Sequence, residues 1–138
     1  MQTDTRPTPE STSSARPLLH EVTGTGPPLV LMPGGLSGWA QWVDHAKRLA
    51  ERHRVVRAQL RSVEMVEAGD PFPGAYTFAM ERDALLVTVN ALGLDRFDLA
   101  GWSSGGGAAL AFAMNHPDRV RTLTMNRPDA LNAFNGAL

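Results

Sequence analysis

Ser103 stands in the run Gly101-Trp102-Ser103-Ser104-Gly105, directly after the apolar stretch Phe97-Asp98-Leu99-Ala100. A small-residue run, Gly106-Gly107-Ala108-Ala109-Leu110-Ala111-Phe112-Ala113-Met114, follows it. A short strand, a sharp turn and a helix are the expected order. A serine pinned on such a turn takes strained backbone angles, so its neighbours must be small. The turn would present Oγ above the strand ends, and the helix N-terminus behind it would favour a developing oxyanion. That is the equipment of acyl transfer, in which a hydroxyl attacks a carbonyl carbon. A glycine-rich loop that merely packs a helix on a strand shares these letters. The strand before and the helix after favour the nucleophile.

An earlier stretch supplies a matching second half. Pro28-Leu29-Val30-Leu31-Met32 reads as a short buried strand that breaks into Pro33-Gly34-Gly35-Leu36-Ser37-Gly38-Trp39. Together the two units resemble the α/β-hydrolase family over about residues 18–125. In that family the first strand ends in a histidine-glycine turn whose next backbone amide forms half of the oxyanion hole. Here Pro33 replaces the usual histidine and Gly34 keeps the glycine. The resemblance assigns the nucleophile to Ser103 and the oxyanion donors to the amide of Gly35, or of Leu36, and that of Ser104. Pro33 removes neither donor. Serine at 103 also argues against the epoxide-hydrolase and haloalkane-dehalogenase branches, whose nucleophile is a carboxylate. The implied substrate is a small-molecule ester or other acyl compound, with no cofactor.

Serine hydrolysis also needs a general base and an acid that fixes the tautomer of the base. The family order is nucleophile, acid, then histidine. His116 is the one histidine after Ser103. If 104–115 is a helix, His116 lies about 18 Å along its axis from the serine. It suits a helix C-terminus better, stopped by Pro117. His20 is expected on a strand, His45 within a helix and His53 at its end, each in a structural role; His45 is nearest to the oxyanion turn. Asp129 is the sole acid candidate, and with no base it has nothing to orient. The triad reads as incomplete, and activity of this chain as weak or absent.

The elements around these residues alternate. Strands are expected at Leu18–Val22, 29–32, Arg54–Leu60, 97–100 and Val120–Met125, and helices at Trp39–Arg52, Thr77–Leu92 and after Ser103. A loop is expected between Leu60 and Thr77. This order predicts an α/β fold: a mostly parallel sheet with helices on both faces, a truncated form of the α/β-hydrolase fold. Hydrophobic residues make up 43% of the 138 and charged ones 20%, with a net charge of -1. Neither nucleic acid nor a membrane is an expected partner. The absence of cysteine removes disulfides, thiolate metal sites and a cysteine nucleophile. Residues 1–17, rich in Thr, Ser and Pro, read as a disordered leader without a signal sequence, and cytoplasmic residence is the default. The last strand is expected to leave an exposed edge, open to self-association.

A different likeness closes the chain. Thr122-Leu123-Thr124-Met125-Asn126-Arg127-Pro128-Asp129-Ala130-Leu131-Asn132-Ala133-Phe134-Asn135 resembles the opening of the enoyl-CoA hydratase (crotonase) family. Residues 126–138 are therefore read as a crotonase-like tail joined to the partial hydrolase domain, 18–125. Three functional readings stand: a serine hydrolase by descent, a non-catalytic fusion remnant, or the start of an enoyl-CoA hydratase-like protein.

Overall fold

A computed structural model describes residues 16–71, 74 and 76–126. The leader up to residue 15 and the crotonase-like stretch from 127 onward, with Asp129, lie outside the described residues. Among the described residues five strands form one sheet: β1 (His20–Thr23), β2 (Pro28–Met32), β3 (Arg54–Ala58), β4 (Phe97–Trp102) and β5 (Val120–Asn126). Their order across the sheet is β1-β3-β2-β4-β5. Only β1 runs antiparallel, against β3; the β2–β3, β2–β4 and β4–β5 pairs are parallel. Among the described residues the helices are α1 (Val43–Leu49), α2 (Arg61–Ala68), α3 (Phe78–Ala91) and α4 (Ser104–Asn115), with 3-10 turns at Trp39–Trp42 and Pro117–Arg119.

Side-chain alternation explains why helices cover both faces. Successive strand residues point to opposite sides of a sheet. Val30, Met32, Val56 and Leu99 therefore meet Ala84, Leu85 and Val89 of α3 and Ala108 and Phe112 of α4 in the larger core. Leu29, Leu31, Val55 and Ala100 face the other way, onto Trp42 and onto Ala46 and Leu49 of α1. Phe97 and Phe112 bring their ring centroids to 5.6 Å where β4 meets α4. Parallel strands buried on both sides need such near-continuous apolar runs, and 28–32 is one.

Two elements depart from the sequence expectation. The helix expected over 39–52 divides into the 3-10 turn and a shorter α1. The segment expected as a loop after Leu60 contains α2. No side chain at its own N-terminus caps α2. The cap comes instead from α3: the carboxylate of Glu81, fully buried, accepts the Arg61 amide at 2.7 Å and the Ser62 amide at 2.9 Å. The Tyr76 hydroxyl donates to the same carboxylate at 2.9 Å. Burial, and then the Glu81 charge, push the Tyr76 phenol well above its ordinary range, so it stays a donor. At the other end Gly69, at φ 73, ends α2 in the left-handed conformation. The guanidinium of buried Arg61 pairs with Glu64 at 2.6 Å and also donates to the Arg16 carbonyl. The Leu18 amide donates to Thr88 Oγ1 at 2.8 Å, which ties the segment before β1 to α3. Among the described residues no helix is long and apolar enough to cross a membrane.

Candidate active site

Ser103 occupies the turn between β4 and α4, at φ 53 and ψ -117. Among the described residues it is the only non-glycine with positive φ. A side chain held there costs on the order of 1–3 kcal/mol and persists only when its surroundings over-determine it. Here they do. A Cβ on Gly101 would lie 2.3 Å from the Gly105 carbonyl oxygen, and one on Gly105 would lie 2.4 Å from that of Pro33. The glycines two residues before and after the serine thus let strand, turn and helix come closer than any side chain would allow. The Ser103 carbonyl accepts the Gly106 amide at 2.9 Å and opens α4.

The turn after β2 lies beside this serine. Parallel pairing sets Met32 opposite Gly101, so both strands release their chains at the same end of the sheet. A Cβ on Gly34 would be 3.6 Å from Cβ of Ser103, and one on Gly35 would be 3.3 Å from Oγ of Ser104. Ser103, Gly35 and Ser104 are therefore neighbours. Leu36, next along the turn, is fully exposed. The turn is closed by the Gly38 amide on the Gly34 carbonyl at 2.9 Å. Gln41 braces it as well, its Oε1 accepting the Gly34 amide at 3.0 Å. The Gly34 amide is thereby occupied, which leaves the later residues of the turn for a ligand. Gln41 was not foreseen; a polar residue in a helical stretch gives no sign in the sequence that it faces a turn.

Three of the four histidines are engaged elsewhere. His116 ends α4, the whole helix away from Ser103, with its ring 4.9 Å from that of Phe112 and its amide bonded to the Phe112 carbonyl at 2.8 Å. His53 precedes β3 and so lies at the opposite end of the sheet; its Nδ1 is 3.3 Å from the Leu49 carbonyl. His20 is on edge strand β1, three strand spacings or about 14 Å across the sheet from β4. Its Nδ1 is 2.7 Å from the Leu18 carbonyl. His45 is exposed on α1, edge-on to Trp42 with centroids 5.2 Å apart. Asp98 is the carboxylate on β4, held below its ordinary pKa by the hydrogen bond from Arg121. It sits five residues before Ser103, about 16 Å down the strand, and its partners are Arg121 and Thr122.

Known proteins resemble this chain in sequence and fold. The alpha/beta hydrolase fold family matches residues 27–136. The "Putative carbamate hydrolase RutD" of Caulobacter segnis is 34% identical over 127 residues, which cover 86% of this chain and 47% of that protein. The 2-hydroxymuconate semialdehyde hydrolase of Pseudomonas sp. strain CF600 is 34% identical over 110 residues, covering 78% and 38%. Among solved structures, a thermophilic esterase from Thermogutta terrifontis is 31% identical with a TM-score of 0.68, covering 82% of this chain and 43% of the esterase. The chain spans less than half the length of each of these relatives. The match over most of the chain, together with the strand–serine–helix turn and the glycine turn beside it, makes this chain a member of the alpha/beta hydrolase fold family.

Proposed function

We propose that this chain carries the nucleophile and the oxyanion half of a serine hydrolase acting on an ester or other acyl bond of a small molecule, without a cofactor. The observation that carries the reading is the strained backbone of Ser103, set between β4 and α4 and against the Gly34–Gly35 turn. Ser103 Oγ attacks the carbonyl carbon. The amides of Gly35, or of Leu36, and of Ser104 hold the oxygen as it becomes negative. Ser104 opens α4, so its amide belongs to a helix end whose partial positive charge favours an anion. Cytoplasmic residence belongs to the same reading. The named relatives act on different compounds, so the acyl class rests on the serine and not on their substrates.

With His20, His53 and His116 held elsewhere and His45 set against Trp42, we read the 138-residue sequence as lacking the base that would take the proton from Oγ. Removing a triad member costs several orders of magnitude in rate and leaves only the contribution of the oxyanion hole and binding. The test is hydrolysis of p-nitrophenyl esters by the wild type, Ser103→Ala and His45→Ala. Equal rates near background are expected, with no base titrating near neutrality. A robust rate lost on both substitutions would show that His45 serves as base, and the incomplete-machinery reading would fall.

A further inference from the structure

A cavity of about 210 Å³ opens between the glycine turn and α2, lined by Gly35, Ser62, Val63 and Val66. We propose that it is the subsite for the acyl chain of the substrate, and that it takes a short, uncharged aliphatic group. The inference rests on the reading of Ser103 and the Gly35 turn as an acyl-transfer site.

Position is the first argument. The cavity shares Gly35 with the turn that lies against Ser104, so it adjoins the place where the reacting carbonyl would be held. Composition is the second. Val63 and Val66 are one helical turn apart and supply an apolar wall, and among the described residues no lysine or arginine lines the space to meet a carboxylate. Glu64 is turned to Arg61 and to the Leu19 amide. Size is the third: pockets for drug-sized ligands run to about 300–1,000 Å³, so this one suits a chain of a few carbons.

The wall is also held in place. The Glu81 carboxylate fixes the Arg61 and Ser62 amides, and Arg61 is clamped between Glu64 and the Arg16 carbonyl. Val66 at 64% exposure and Leu36 at 106% stand open to solvent near the turn and α2. Apolar side chains left wet beside a held cavity fit a site that a ligand covers.

Backbone amide NMR on the 15N-labelled chain tests the proposal, with methyl butyrate as the neutral probe and monomethyl succinate as its anionic counterpart. Methyl butyrate should shift the amides of Gly35, Ser62, Val63 and Val66, and monomethyl succinate should bind at least ~10-fold more weakly, because its carboxylate would be desolvated unpaired. Val66→Glu should abolish the shifts, and Val66→Lys should admit monomethyl succinate; both changes fall on an exposed position. Ser103→Ala should leave the shifts intact. Failure of the incomplete-machinery reading thus shows in the esterase comparison, and failure of the subsite shows here, where no turnover is needed. Shifts absent from these four amides, or unchanged in Val66→Glu, would overturn the proposal.

Discussion

Gly105→Ala sets two well-understood effects against each other at the serine turn. Gly105 is the second residue of α4, and alanine in an unobstructed helix would be stabilising by about 1 kcal/mol. Here the space is taken. A Cβ on Gly105 would lie 2.4 Å from the Pro33 carbonyl oxygen, 2.5 Å from that of Met32 and 2.6 Å from the Met32 carbonyl carbon. Real Cβ contacts essentially never fall below 3.0 Å, so α4 and the end of β2 must part by at least 0.6 Å (3.0 minus 2.4). Every obstructing atom is backbone, so no side chain can swing aside. Over-packing of this kind costs about 1–3 kcal/mol, and a rigid site belongs at the upper end. Subtracting the propensity gain leaves a net loss of about 2 kcal/mol. With a urea m-value of about 2 kcal/mol/M, the unfolding midpoint should fall by about 1 M. The assay is urea unfolding followed by far-UV circular dichroism, with Gly74→Ala as control. Among the described residues no heavy atom lies within 4 Å of a Cβ at Gly74, so its midpoint should stay near that of wild type. A Gly105→Ala midpoint equal to or above wild type would show that propensity wins. The close approach of β2 and α4 would then not be what holds Ser103 in its strained state.

Two further outcomes follow from other parts of the chain. The hydrogen bond from Arg121 lowers the Asp98 pKa, burial opposes it and Thr122 assists. A folded pKa below the unfolded value of about 3.9 means that the stability from this group is present above that value and is lost as pH falls through the depressed folded one. Urea midpoints between pH 6 and 2 should therefore fall less steeply in Asp98→Asn than in wild type; parallel acid limbs would refute the linkage. If residues 127–138 descend from a crotonase-like sequence, they were shaped for another core, and deleting them should leave cooperative unfolding little changed. Loss of the transition on deletion would make the tail part of the hydrolase domain.

What the sequence made legible is what repeats locally. The apolar runs 28–32 and 97–100 mark strands because a buried parallel sheet demands them, and the glycines around Ser103 mark a turn because only their missing side chains admit it. Helix α2 was hidden for the opposite reason. Arg61 and Ser62 follow Leu60, which offers no capping side chain, and the carboxylate that starts the helix belongs to Glu81, twenty residues later. Local propensity is blind to a cap supplied across the fold. The same blindness covers Gln41, whose amide oxygen braces the Gly34 turn from the next helical segment. In both places a polar side chain supplied from a neighbouring element holds a segment that contributes to the site. The turn that carries Ser103 could therefore be read from its own neighbours, whereas the α2 wall of the cavity beside Gly35 is capped by Glu81, and no spacing near the glycine turn points there.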